Sequence, residues 1–127
     1  MISLRESGDS FVNFELLEKL VANGEISFCF RITAESKGFR GVGQEIWIEE
    51  DELRSFNIGL EKLIASKLRE ITLKAMSECS LHISHADEFG YFSVKLVLSH
   101  APRGHSLTLN LRLPTGALIH FLGDLPS

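Results

Sequence analysis

Strict alternation of apolar and polar side chains limits most what this chain can fold into. Between residues 91 and 99, Phe92, Val94, Leu96 and Leu98 take every second position, and between 106 and 113 Leu107, Leu109, Leu111 and Leu113 do the same. Ile26, Phe28, Phe30 and Ile32 repeat the pattern within 25–35, against Ser27, Cys29, Arg31 and Thr33. Successive side chains on a strand point to opposite faces, so each run predicts a strand with one apolar face. Parallel sheets, buried on both faces, read instead as unbroken apolar runs. The alternation therefore predicts antiparallel sheet.

Shorter runs extend this reading. Strands are predicted at 2–5, 44–48, 70–76 and 80–85, with Ile46 and Ile48 facing one way and Trp47 the other. Residues 11–20 suit either an irregular strand or a short helix. Strand is favoured because Asn23-Gly24 follows, a dipeptide that accepts positive φ and closes hairpins. Turns are expected at 6–10, at 86–90 and at Ala101-Pro102-Arg103-Gly104. Residues 36–43, with Gly38, Gly41 and Gly43, read as a turn or irregular connection.

In mid-chain the period changes. Leu53, Phe56, Leu60, Leu63 and Ile64 are spaced three and four apart, which makes one apolar stripe on a helix over 50–68. Glu49, Glu50, Asp51 and Glu52 stand at its start, where negative charge suits the helix dipole, and Lys62 and Lys67 stand toward its end. Thr115 is the expected N-cap of a short closing helix carrying Leu118, Phe121, Leu122 and Leu125. The order predicts one α+β domain over residues 1–127. It is mostly antiparallel β-sheet, its apolar face packed by one long central helix and a short C-terminal helix.

With 127 residues the chain can bury a core without metals or disulfides. Its two cysteines, Cys29 and Cys79, fall in strands and read as small buried hydrophobes. The formal net charge is −4, and no run of Lys and Arg offers a grip on phosphate backbones, which argues against nucleic acid as a partner and for a basic protein. No stretch approaches the roughly 20 apolar residues that span a bilayer, and Met1 to Ser10 lacks an apolar export signal. A cytoplasmic protein is expected.

No residue set reads as catalytic, and no cofactor or metal is predicted. His82 and His85 are three apart on a strand, so they point to opposite faces and cannot both hold one ion without a bulge. His100 and His105 flank the next turn. Gly38-Phe39-Arg40-Gly41-Val42-Gly43 has neither the spacing nor the following helix of a phosphate loop. Ser84, His85 and Asp87 are neighbours in sequence, which is not triad geometry. The acidic run has two readings, a solvated helix start or a partner-facing patch of Glu49, Glu50, Asp51 and Glu52 joined by Glu45. Trp47 likewise either packs under a neighbouring segment or anchors a partner, a role in which Trp is enriched.

Several segments follow one order. Phe14-Glu15-Leu16-Leu17 precedes Ile26-Ser27-Phe28-Cys29-Phe30-Arg31-Ile32. Phe39-Arg40-Gly41, Ile46-Trp47-Ile48 and the helix from Asp51 to Leu60 come next. Leu81-His82-Ile83, Phe92-Ser93-Val94-Lys95-Leu96 and Leu107-Thr108-Leu109-Asn110-Leu111 complete it. In this order the chain resembles the WapI-type immunity proteins of bacteria, from about residue 2 to 125. The resemblance implies a protein that neutralises a cognate toxin by binding it, and it carries over no catalytic or contact residues. The Pro102-Arg103-Gly104-His105 turn is particular to this sequence and leaves room for a differently employed subfamily. Two other readings stay open: a small metal-dependent enzyme or metal binder using His82, His85, His100 and His105, and a homodimer that pairs an exposed strand with its own copy.

Overall fold

A computed structural model describes residues 2–6, 10–75, 79–87, 90–100 and 105–126, and among these the alternating runs become eight strands. In chain order the elements are β1 (Ile2–Arg5), β2 (Phe11–Ala22), β3 (Glu25–Ser36), β4 (Phe39–Glu49), α1 (Glu50–Ile64), β5 (Glu70–Ala75), β6 (Cys79–His85), β7 (Tyr91–His100), β8 (His105–Pro114) and α2 (Thr115–Asp124). The class is α+β, mostly antiparallel sheet with one central and one C-terminal helix. The strands divide, however, into two four-stranded meanders, β1-β2-β3-β4 and β5-β6-β7-β8, rather than one sheet. No helix among the described residues is long and apolar enough to cross a membrane.

The inner faces of the two sheets meet. From the first come Val12, Phe14, Phe28, Phe30, Ile32, Ile46 and Ile48, and from the second Leu73, Leu81, Ile83, Val94, Leu96, Leu109 and Leu111, all in one buried cluster. Helix α1 adds Leu53, Phe56, Leu60 and Leu63, the stripe expected from their spacing, and packs chiefly on β5. Helix α2 adds Leu118 and Phe121 and lies against β1 and α1. The Phe121 ring sits 5.6 Å from that of Phe14, which in turn meets Phe30 edge-on at 6.4 Å. Burying each such ring contributes about 1.5–3 kcal/mol, so the aromatic trio joins three elements at the centre.

Three local expectations are corrected. The segment 36–43 is not an irregular connection. The turn is confined to Lys37 and Gly38, both with positive φ (51° and 83°), as in the Asn23-Gly24 turn (54° and 79°). Such paired left-handed residues match the twist of a tight hairpin. Gly41 and Gly43 are strand residues whose missing side chains admit the second sheet, since a Cβ on Gly41 would collide with Leu107. Helix α1 ends at Ile64, short of residue 68, because Ser66 turns left-handed at φ 61°. The Lys67 N–H then donates to Lys62 O at 2.8 Å and the Ser66 N–H to Leu63 O at 3.0 Å, the two bonds of a Schellman stop. Thr115 is the first residue of α2 and not its cap. Pro114 holds the cap position, and the Thr115 hydroxyl donates to Gly90 O at 2.8 Å.

The expected strand end at Met76, most of the 6–10 turn, Glu88 and Phe89 of the 86–90 loop, and the Ala101–Gly104 turn lie outside the described residues.

Candidate interaction surface

The first sheet has one face in the core and one free. On the free face the register sets Cys29 of β3 between Glu18 of β2 and Trp47 of β4, and pairs Ser27 with Leu20 on one side and Glu49 on the other. Trp47 points away from buried Ile46 and Ile48, as the alternation requires, and is half-buried. Cys29 belongs to the outer face by alternation, yet it is buried.

Two bulges shape this end of the sheet. On β2, Leu16 pairs with Phe30 and Glu18 with Cys29, so Leu17 is an extra residue. On β4, Ile46 pairs with Phe30 and Gly43 with Ile32, so Gln44 and Glu45 together face Arg31. Bulges re-aim side chains and sharpen twist. Here they bring Glu18 and Glu45 close enough to Cys29 for their charges to matter. Burial pushes the Cys29 thiol pKa above its ordinary value, and the negative charges of Glu45 and then Glu18 raise it further.

The acidic residues at the start of α1 do not form a single patch. A helix turns about 100° per residue, and the run fans around the axis. Glu50 lines a groove of about 390 Å³ with Phe28, Leu53 and Arg54, whereas Asp51 and Glu52 line a depression shared with Phe56, Leu73 and Lys74 of the opposite sheet. Arg54 bonds Glu50 at 2.6 Å and reaches Asp51 at 3.6 Å. Among the described residues Glu18, Glu45, Glu49 and Glu52 make no ion pair. Of the candidate residues, the fold thus groups Glu45, Trp47 and Glu49 on one face, adds Glu18, and turns Glu50, Asp51 and Glu52 aside.

Next to this acidic face lies an apolar feature that the sequence reading missed. The outer half of β2 exposes Leu16 (45%), Leu17 (40%), Leu20 (46%) and Val21 (63%). Two adjacent apolar pairs in one strand put greasy side chains on both faces, more than a single buried face can use, and that excess was the available signal. The outer face of the second sheet is different. Thr72, Lys74, Ser80, His82, Ser93, Lys95, Thr108, Asn110 and Arg112 make it an ordinary polar, solvated surface.

His82 and His85 do not converge. His82 Nδ1 shares a 2.8 Å hydrogen bond with Thr72 Oγ1, and its Nε2 lies 3.7 Å from Glu70. His85 is on the opposite face, its ring 4.8 Å from that of Phe92. His100 and His105 are register partners in β7 and β8. No three His, Cys, Asp or Glu side chains among the described residues are placed to hold a metal ion. Ser84 and His85 face opposite ways, and Asp87 is held by Arg112, so these three do not form a nucleophile–base–acid relay. No family model, characterised protein or solved structure matches this chain, and the reading of its surface rests on its own residues.

Proposed function

We propose that this domain binds and silences a basic protein through the free face of the β1–β4 sheet, as a toxin-neutralising immunity protein of the WapI type would. One observation carries the reading. Half-buried Trp47 shares the free face with Glu18, Glu45, Glu49 and exposed Leu20, and the exposed Leu16, Leu17 and Val21 continue the apolar surface along the outer half of β2. A tryptophan beside apolar side chains makes a desolvated centre, and a charged rim selects the partner and speeds its approach. Such a surface suits an interface of roughly 800 Å² per partner. Against a nuclease, the carboxylates would take the places of nucleic-acid phosphates. The protein would then act in the cytoplasm of the cell that makes the toxin.

The test is co-expression with the toxin encoded beside this protein. Growth should be restored by the wild type and lost with Glu45→Lys/Glu49→Lys. Killing that the wild type does not relieve would rule out that pairing.

A further inference from the structure

We propose that the outer half of β2, residues 15–22, is an open sheet edge that takes one added strand from a basic partner. The proposal rests on the protein-binding reading above and specifies how the partner engages.

The geometry comes from unequal strand lengths. β1 pairs with β2 only from Ile2↔Phe14 to Arg5↔Phe11, while β3 follows β2 all the way to Ala22. From Glu15 onward, β2 therefore has a strand on one side and none on the other among the described residues. Residues 16–22 are all exposed. Alternate amides and carbonyls of this stretch point away from β3 with no described strand beside them, and an edge in that state is a template for another chain. Proteins usually blunt such edges with proline, charge or a cover. Here the stretch has no proline, its charges are Glu15 (held by Arg31), Glu18 and Lys19, and it carries four exposed apolar side chains and a single bulge at Leu17.

The charges decide the occupant. A two-fold antiparallel pair sets the residue at its axis against its own copy, on the same face. The two axes that pair most of 15–22 lie at Glu18, which opposes two carboxylates, and at Lys19, which opposes two ammonium groups, whereas axes at Leu17 or Leu20 avoid the clash but pair a shorter stretch. Glu18 cannot answer Lys19 directly, because the two point to opposite faces. Lys19 turns inward, its Nζ 5.9 Å from the Phe28 ring centre, while Glu18 pairs with Cys29 on the outer face. Self-pairing would also bring two chains of net charge −4 together along their acidic faces. Like charges placed opposite each other are destabilising. An extended segment with Lys or Arg on the Glu18 side and apolar residues at alternate positions meets neither obstacle. It would extend the ladder, cover Leu16, Leu17, Leu20 and Val21, and set a cation beside Glu18 on the outer face.

The probe is a blocked octapeptide alternating Lys and Val, with a Glu–Val peptide of equal length as control. Each is titrated into the isotopically labelled full chain and followed by amide NMR. The Lys–Val peptide should shift residues 15–22 with a Kd below about 1 mM and bind at least tenfold tighter than the Glu–Val peptide. Leu17→Lys/Leu20→Lys, at exposed positions that leave the fold intact, should weaken it by about tenfold or more. Equal binding of the two peptides, or shifts in 45–49 with 15–22 unmoved, would overturn strand addition; the second result would leave the acidic face as a binding surface. No shift in either segment would overturn both readings. A wild-type dimer in light scattering that Leu17→Lys/Leu20→Lys dissolves would give the edge to a second copy instead.

Discussion

Gly41 of β4 lies directly over Leu107 of β8, so that any Cβ on Gly41 would overlap Leu107 Cδ2 and stand 3.3 Å from Leu107 Cβ and Cγ. The two sheets close on each other through this contact. Filling it should force them apart. Gly41→Val is expected to destabilise the fold by about 1–3 kcal/mol in urea unfolding. Adding Leu107→Ala should recover at least ~0.5 kcal/mol of the sum expected from the single changes. Strict additivity in that double-mutant cycle would mean the sheets do not meet there.

Ser66 closes α1 in the left-handed conformation that suits glycine, at φ 61°. A residue with a Cβ is about 1 kcal/mol less comfortable there. Ser66→Gly should therefore raise stability by about 0.5–1 kcal/mol, against the usual direction for a glycine substitution, and thermal unfolding would register it as a higher Tm.

Burial pushes the Cys79 thiol from 9.0 up to about 12. Because the folded value is raised, the neutral thiol favours the fold fully below pH 9. Between pH 9 and 12 the unfolded chain loses its proton while the folded chain keeps it, so stability falls by up to ~1.4 kcal/mol per pH unit. Cys79→Ala removes this component. The stability gap between wild type and variant should hold steady below pH 8 and narrow as pH climbs past 9. Both cysteines are buried, so alkylation should proceed only as the protein unfolds.

Glu45 and Glu49 are exposed and make no ion pair among the described residues, so their neutralisation should leave the fold alone. Glu45→Gln/Glu49→Gln is expected to change stability by less than about 0.5 kcal/mol. Association with a basic partner should slow and lose much of its sensitivity to salt, with a smaller effect on dissociation. Stopped-flow binding at two ionic strengths separates these outcomes.

The fold was legible wherever one periodicity dominated. The alternation in β3, β7 and β8 and the three-and-four spacing from Leu53 to Leu63 gave strands and helix directly. Alternation says which face of a strand is buried but not which strands share a sheet, so the division into two meanders was hidden. Gly41 and Gly43 looked like turn residues because glycine is ambiguous alone; their role depends on Leu107 and Leu98, far away in sequence. Ser66 gave no stop signal because serine rarely turns left-handed, and the Schellman bonds exist only in the folded helix. At the surface, Trp47 could be assigned a face from its neighbours. The grouping of Glu18 with Glu45 required both bulges, and the fanning of Glu50, Asp51 and Glu52 required the helix to begin at Glu50.

Hydrogen–deuterium exchange, run on this protein alone and bound to the proposed basic partner, would test the central claim most directly. Exchange should slow in residues 15–22 and 45–49, on the β1–β4 sheet. Protection confined to the polar outer face of β5–β8, with both of those segments exchanging as freely as before, would contradict the account.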